Sequence, residues 1–249
     1  MIHKVITLIT DFGMNDSFVA QMKGVLLTIN PACTIIDITH EIDPFNIKKA
    51  ALSLGFAYRY FPAGSIHVAV VDPGVGSVRK GIIVSADGHY FIGPDNGIFS
   101  YIYHNCGNGF KVYHLNNDMA YELPQAVYLS NDKGNTFHGR DVFAPVAARL
   151  SIGQDIDKFG SLIGDFVQFS IPKPKIIDGV FNGEILYIDR PTSEYKRFGN
   201  AITNINKDIL QEIGLNATFN REVQQNKKRL QLVFFYSNNY CPNIFWVCY

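Results

Sequence analysis

Short apolar runs alternate with segments of helical periodicity along the first 150 residues of the chain. The run Val5–Thr10 is rich in β-branched residues and predicts a buried strand, and the apolar positions between Phe18 and Ile29 recur with helical spacing. The same rhythm continues with strands predicted at 34–38, 65–71, 81–86 and 89–92 and helices predicted at 47–60 and 142–150. This alternation is typical of an α/β domain with a mostly parallel central sheet.

The pattern changes near Ile171-Pro-Lys-Pro174, where two prolines flank a lysine. Beyond this point the apolar runs have the length and composition of strands, at 179–188, 201–205 and 230–235. We therefore predict an N-terminal α/β domain over residues 1–170 and a smaller β-rich domain over residues 175–249.

The composition favours a protein that acts on a small molecule. The 22 lysines and arginines balance the 22 acidic residues, so net charge gives no reason to expect a nucleic acid or a membrane surface as partner. No apolar run approaches the ~20 residues of a membrane-spanning helix, and Met1–Thr10 predicts a strand and not a signal peptide. Four cysteines without C-x-x-C spacing predict reduced thiols in a cytoplasmic protein, with no zinc site.

Ionisable residues stand at the ends of the predicted strands. Asp11 follows the first strand, His40 the second and Asp72 the third. The carboxyl ends of parallel strands share one edge of the sheet, which is where open α/β sheets bind ligands. Gly13 permits a tight turn between Asp11 and Asp16. On this evidence alone, two explanations are equally good. Asp11 and Asp16 bind a ligand at this edge, or Asp11 only caps a turn and Asp16 only caps a helix.

An arginine and a second histidine belong to glycine-containing segments. The glycines between Asp72 and Arg79 allow the loop to fold back, so that the guanidinium can pair with the carboxylate and keep it ionised. A surface pair that stiffens the loop explains the same spacing, and for these two residues alone it is the better explanation. His138 is equally consistent with a structural and a catalytic role, whereas His40 is interpreted as structural.

Six motifs together resemble one known family. They are Thr10-Asp-Phe-Gly with Asp16, His40-Glu-Ile-Asp-Pro44, Val71-Asp-Pro-Gly-Val-Gly76 with Arg79, Gly93-Pro-Asp-Asn-Gly97, Phe137-His-Gly-Arg-Asp141, and Phe198-Gly-Asn200 with Thr203-Asn204. Their kind and order are similar to those of the S-adenosylmethionine hydroxide adenosyltransferases. These are adenosine-forming hydrolases of S-adenosylmethionine, related to the fluorinating and chlorinating enzymes. Several motifs matched in order are far more specific than any one of them.

The resemblance implies a fold, an assembly and roles for individual residues. A smaller C-terminal β-barrel-like domain would follow the α/β domain, and a homotrimer would form each site between the first domain of one subunit and the second domain of its neighbour. The catalytic residues that hold and polarise the attacking water would be Asp72, Arg79 and His138. The substrate would be bound by Asp11 at the ribose, by Asp16 at the amino-acid end, and by Phe45, Phe137, Asp189, Phe198 and Asn200.

The implied reaction is hydrolysis of S-adenosylmethionine to adenosine and L-methionine, without a cofactor or a metal. The sulfonium is already an excellent leaving group, so the enzyme needs chiefly an activated water held in line with C5′ for SN2 attack. A carboxylate at Asp72 disfavours an incoming halide, because like charges ~4 Å apart repel by about 4 kcal/mol at an effective dielectric constant of ~20.

Two departures from the family pattern leave other functions open. The segment Pro191–Arg197 separates Asp189-Arg190 from Phe198, where the family motif is continuous, and the sequence after Tyr236 does not match the family. One alternative is therefore a non-catalytic protein that binds S-adenosylmethionine or adenosine, and another is a halogenase. A third is a metal-dependent hydrolase that uses Asp11, His40, Asp72 and His138.

Overall fold

The computed structural model describes residues 5–117, 136–177, 180–182, 184–188, 200–204 and 246–248. The chain divides into two compact units, Met1–Ile171 and Pro172–Tyr249. Of the helices that the structure describes, none combines the length and the apolar character needed to cross a membrane.

A seven-stranded sheet runs through the described part of the first unit, in the order β2-β1-β3-β5-β4-β6-β7. The strands are β1 (Val5–Thr10), β2 (Thr34–Thr39), β3 (Ile66–Val70), β4 (Gly81–Ala86), β5 (His89–Pro94), β6 (Phe110–Leu115) and β7 (Gly160–Ile163). The neighbours β2, β1, β3 and β5 pair in parallel, and β4, β6 and β7 are joined by antiparallel pairs. The sheet is therefore mixed, and the expected parallel pairing is confined to one half of it.

The hairpin between β4 and β5 explains the change of direction. Asp87 and Gly88 both have a positive φ, 51° and 75°, as a two-residue type I′ turn requires. The second strand of this hairpin, β5, pairs in parallel with β3, so the first strand, β4, necessarily runs the other way.

Helices cover both faces of the sheet. They are α1 (Phe18–Ile29), α2 (Ile47–Ala57), α3 (Ser100–Cys106) and α4 (Ala144–Ser151). Alternate strand residues face opposite sides, so Ile6 and Leu8 of β1 join α1 and α4 in one core, while Ile9 joins α2 and α3 in the other. A single π-helical turn, Gly139–Phe143, leads into α4.

The second unit is described through five short strands. They are β8 (Lys175–Ile177), β9 (Val180–Asn182), β10 (Ile185–Ile188), β11 (Asn200–Thr203) and β12 (Trp246–Cys248). One antiparallel pair, β8-β9, and one antiparallel sheet, β10-β11-β12, account for them. The strand predicted at 179–188 is thus two strands with different partners, and the strand predicted at 230–235 lies outside the described residues.

A chain of three buried polar side chains crosses the parallel half of the sheet. Nδ1 of His67 lies 2.7 Å from Thr7 Oγ1, and its Nε2 lies 3.2 Å from Nδ1 of His89. His67 is fully buried. Burial, with a smaller contribution from His89, lowers the pKa of His67 to about 3, and burial also lowers the pKa of His89. Both rings are therefore neutral in the folded protein at pH 7.

We expect the free energy of unfolding to decrease as the pH falls below about 6.5. The unfolded chain then binds a proton at residue 67 that the folded chain, with a pKa of about 3, does not bind. This one residue accounts for a loss of about 2 kcal/mol between pH 7.5 and pH 5, at 1.36 kcal/mol per pKa unit. Urea unfolding at a series of pH values measures the loss, and His67→Gln should give a flatter profile. Equal pH dependence in the two proteins would contradict the assignment.

Candidate active site

A carboxylate, a guanidinium and an imidazole meet beyond the carboxyl end of β3. Nε of Arg79 donates to Oδ1 of Asp72 at 3.0 Å, and Nη2 donates both to Oδ2 of Asp72 and, at 2.7 Å, to Nδ1 of His138. The side chains of Asp72 and Arg79 are only 5% and 11% exposed. This two-point pair is therefore largely buried, unlike the surface pair that the loop sequence alone favoured. The three predicted catalytic residues lie together.

The loop between Asp72 and Arg79 folds back through two consecutive turns. The backbone N–H of Val75 donates to the Asp72 carbonyl at 3.2 Å, and that of Ser77 donates to the Gly74 carbonyl at 3.1 Å. Gly76 has a φ of 77°, which glycine adopts without the steric cost of a Cβ. These turns return the chain to the start of the loop, where the guanidinium reaches the carboxylate.

The contact with Arg79 fixes the tautomer of His138. A guanidinium has donors only, so Nδ1 of His138 accepts and the proton of the neutral ring is on Nε2. Burial, and then the neighbouring positive charge of Arg79, lower the pKa of His138 and favour the neutral ring. His138 therefore offers an N–H donor at Nε2, and Asp72 offers the carboxylate lone pairs that can accept a proton.

The π-helical turn holds His138 against α1. Gly139 makes the close approach possible, since a Cβ there would lie 3.1 Å from the Phe137 ring and 3.2 Å from Sδ of Met22. Nη1 of Arg140 donates to Oε1 of Gln21 at 2.7 Å, which ties the turn to α1 a second time. The position of His138 therefore depends on side chains more than 100 residues earlier in the chain.

Asp11 and Phe45 meet at the same edge of the sheet. Oδ2 of Asp11 accepts the backbone N–H of Phe45 at 2.9 Å. Phe45 has a φ of 63°, and the residue is 68% exposed. A positive φ costs a non-glycine residue of order 1–3 kcal/mol, and such strain is concentrated at functional sites. A cavity of about 440 Å³ opens beside Phe45, with Lys48, Asn96 and Phe169 among its lining residues, and its volume is in the range of small-molecule sites.

Phe137 belongs to a cluster of three rings. Its centroid lies 5.5 Å from that of Phe12 and 5.4 Å from that of Phe18, in edge-to-face arrangements. Asp16 is exposed in the preceding loop, and Ser17 occupies the N-cap position of α1 without a capping side-chain bond. Phe137 thus has a packing role that the sequence did not indicate. Separately, the side-chain cap that we expected at the start of α1 is not formed.

His40 is buried and contacts two other residues, one of them the exposed Asp37. Its Nδ1 lies 2.8 Å from Oγ1 of Thr10, and its Nε2 lies 3.1 Å from Oδ1 of Asp37. The structural interpretation of this histidine agrees with these contacts. In the ranges that the structure describes, no three His, Cys, Asp or Glu residues are grouped so that they could hold a metal ion.

The remaining predicted site residues belong to the second unit. Asp189 and Phe198 lie outside the described residues, and Asn200 is the first residue of β11. One contact at the edge of the sheet was not predicted. Nδ2 of Asn96 donates to the carbonyl of Val71, the residue before Asp72, at 2.8 Å. No role was assigned to Asn96 from the sequence, where it was one residue of the family motif Gly93-Pro-Asp-Asn-Gly97.

Comparison with known proteins identifies relatives over most of the chain. A profile of the SAM hydroxide adenosyltransferase N-terminal domain matches residues 6–160. The (R)-S-adenosyl-L-methionine hydrolase of Methanocaldococcus jannaschii is 39% identical over 212 residues, which are 82% of this chain and 68% of the relative. The protein of the same name from Salinispora tropica is 38% identical over 187 residues, which are 74% and 68% of the two chains.

Two further relatives show how far the similarity extends. A fluorinase from Actinoplanes sp. is 27% identical over 237 residues, which are 85% of this chain and 74% of the relative. The crystal structure of an uncharacterized conserved protein from Thermotoga maritima superimposes with a TM-score of 0.73 at 33% identity, covering 85% of this chain and 75% of its own.

Proposed function

The chain belongs to the S-adenosylmethionine hydroxide adenosyltransferase family, and we propose that it is an enzyme that hydrolyses S-adenosyl-L-methionine to adenosine and L-methionine. The observation that carries this proposal is the buried cluster of Asp72, Arg79 and His138 at the carboxyl end of β3. Four relatives with 35–39% identity are named hydrolases of the R isomer at sulfur, so we propose that isomer as the substrate.

The cluster suits an SN2 attack by water on C5′. The water oxygen bonds to C5′, the C5′–S bond breaks with its electron pair going to sulfur, and methionine leaves as a neutral thioether. Asp72 accepts the proton that the water loses, and the Nε2–H of His138 donates to the oxygen and orients it. The guanidinium of Arg79 holds both Asp72 and His138 in place. General-base assistance contributes ~10²–10⁴-fold, and positioning of the water contributes further.

The substrate groups have matching residues at the same edge. A carboxylate has about four lone-pair sites, so Asp11 can accept from the ribose hydroxyls while it holds the Phe45 backbone. The ring of the exposed Phe45 provides an apolar wall, and Phe137 a second one. Asp16 would contact the amino-acid end of the substrate. We assign Asp189, Phe198 and Asn200 to the methionine and adenine ends, as contributions of the second domain.

We further propose a homotrimer in the cytoplasm that needs no metal or cofactor, with a β-barrel-like second domain over residues 175–249. Apolar side chains exposed near the site favour such an assembly, since a neighbouring subunit would cover them. Met14 is 59% exposed, and Val78, next to Arg79, is fully exposed. A halogenase is the weaker alternative, because the carboxylate of Asp72 repels an incoming anion and the fluorinases are the more distant relatives.

Reaction in heavy-oxygen water tests the proposal. We expect ¹⁸O in the 5′-hydroxyl of adenosine and none in methionine, because the water attacks C5′. Mass spectrometry of both products, from the R and S isomers separately, measures the position of the label and the isomer preference. Unlabelled adenosine would exclude attack at C5′, and a halogenated product that depends on added chloride or fluoride would favour the halogenase. Binding without any product would leave the non-catalytic alternative.

A further inference from the structure

The turn Pro94–Gly97 contacts both ends of the loop that carries Asp72 and Arg79. At the first end, Nδ2 of Asn96 donates to the carbonyl of Val71 at 2.8 Å. At the other end, the backbone N–H of Asp95 donates to the carbonyl of Lys80 at 2.8 Å. The two residues that these bonds hold are the immediate neighbours of the loop that pairs carboxylate with guanidinium.

The bond from Asn96 is required by burial. Val71 is fully buried and lies one residue beyond the end of β3, so its carbonyl needs a partner from another segment. An unpaired buried carbonyl costs about 1–3 kcal/mol. The amide of Asn96 is oriented for this task, because its Oδ1 accepts the backbone N–H of Ile98 at 3.2 Å and leaves Nδ2 for Val71.

The turn is itself anchored on its other side. The carboxylate of Asp95 is buried, and its Oδ1 accepts the backbone N–H of Val167 at 2.8 Å. Oγ of Ser100 donates to the carbonyl of Gly97 at 2.6 Å and accepts the backbone N–H of Phe169 at 3.0 Å, so it joins the turn to Phe169. The turn therefore rests on the segment 167–169 as well as on β5, and it can serve as a fixed support for the loop.

From these contacts we infer that Asn96 is a positioning residue for the hydrolysis. It fixes the start of the loop that carries Asp72. The inference rests on the proposed function. Asn96 acts through Asp72 and Arg79 and has no part in the proton transfer. Displacement of a catalytic group by 1 Å can cost about 100-fold in rate, so a support at this point has a large effect on turnover.

Asn96→Asp tests the inference with a matched control. This change keeps the acceptor for Ile98 and replaces the donor with an oxygen that repels the Val71 carbonyl. Asn30, the C-cap residue of α1, has a similar bonding pattern. Its Oδ1 accepts the backbone N–H of Ala32, and its Nδ2 donates to Oγ of Ser151. Asn30→Asp therefore makes the same amide-to-carboxylate change at a buried asparagine elsewhere in the fold.

We expect Asn96→Asp to lower kcat by about 10- to 100-fold with less than a threefold change in adenosine binding, and Asn30→Asp to leave kcat within twofold. The NMR titration of His138 gives a second readout that needs no turnover. Its pKa should rise in Asn96→Ser, which adds no charge, because the contact with Arg79 loosens, and should not move in Asn30→Asp. If Asn96→Asp does not fold, Asn96→Ser is measured in the same way.

A wild-type kcat or an unchanged His138 titration in the Asn96 variant would overturn the inference. So would an equal loss of kcat in Asn30→Asp, since the effect would then reflect general stability. If wild-type protein hydrolyses no S-adenosylmethionine, the proposed function fails, and the role of Asn96 in hydrolysis fails with it. The titration then still shows whether Asn96 holds the loop.

Discussion

Asp72→Asn is expected to lower the rate of hydrolysis of bound S-adenosylmethionine by ~10²–10⁴-fold, the usual contribution of a general base. The amide has nearly the shape of the carboxylate, but it cannot accept the proton of the attacking water, and its NH₂ group faces the donors of Arg79. Adenosine affinity should remain within about threefold, because Asp11 and the aromatic walls are intact. Single-turnover kinetics and calorimetric titration with adenosine measure the two effects.

The matched control is Asp87→Asn, in the β4–β5 turn. Asparagine tolerates the positive φ of that position, and the side chain there contacts Tyr58 and not Asp72, Arg79 or His138. We expect this variant to keep the wild-type rate. Normal turnover by Asp72→Asn would reject Asp72 as the base. A rate loss accompanied by equal loss of adenosine affinity would assign the residue to binding.

Arg79→Met is expected to lower the free energy of unfolding by about 3–5 kcal/mol at neutral pH and to abolish measurable turnover. The Asp72 carboxylate, 5% exposed, would be left in the protein without the partner that now contacts both its oxygens. Removing one member of a buried pair costs this much because an uncompensated charge remains buried. Urea unfolding at pH 7.5 measures the loss.

A double-mutant cycle separates the buried charge from the loss of packing. The variant with both Arg79→Met and Asp72→Asn should recover most of the lost stability, because no charge is then left unpaired. Arg59→Met is the control, since Arg59 faces Asp87 at 3.7 Å and is 41% exposed, and exposed pairs contribute about 0–1 kcal/mol. If Arg79→Met were no worse than Arg59→Met, the pair would not be buried in solution.

Local pattern was enough to predict the central elements of the fold. β1 and β4 have the predicted bounds, and α1 covers the predicted range, because their apolar periodicity is strong. β6 was not predicted, since Lys111 and His114 interrupt its apolar run, and seven-residue α3 is too short to show a period. The order of the strands in the sheet was not predicted, because it depends on pairing between distant segments.

The sequence indicated the members of the cluster of Asp72, Arg79 and His138 but not its environment. The glycines between Asp72 and Arg79 indicated a loop able to fold back. The burial of the ion pair depends on distant residues such as Phe143, whose ring centroid lies 5.4 Å from the Arg79 guanidinium. The contact with His138 joins residues 59 positions apart. No individual role was predicted for Asn96, because the residues Pro94-Asp-Asn-Gly97 are typical of a turn, and only the fold shows which carbonyl the Asn96 amide contacts.

Strand order also determines where this family can place its chemistry. From β1 the chain passes over one face of the sheet to β2 and then over the other face to β3, so connections diverge on either side of β1. Such a topological switch point opens a crevice between the strand ends. Asp11 follows the end of β1 on one side of this crevice, and Asp72 follows the end of β3 on the other side. The crevice arises from the order in which the strands are connected. The residues at these loop ends can therefore change in evolution, and with them the chemistry of the crevice, while the sheet stays the same.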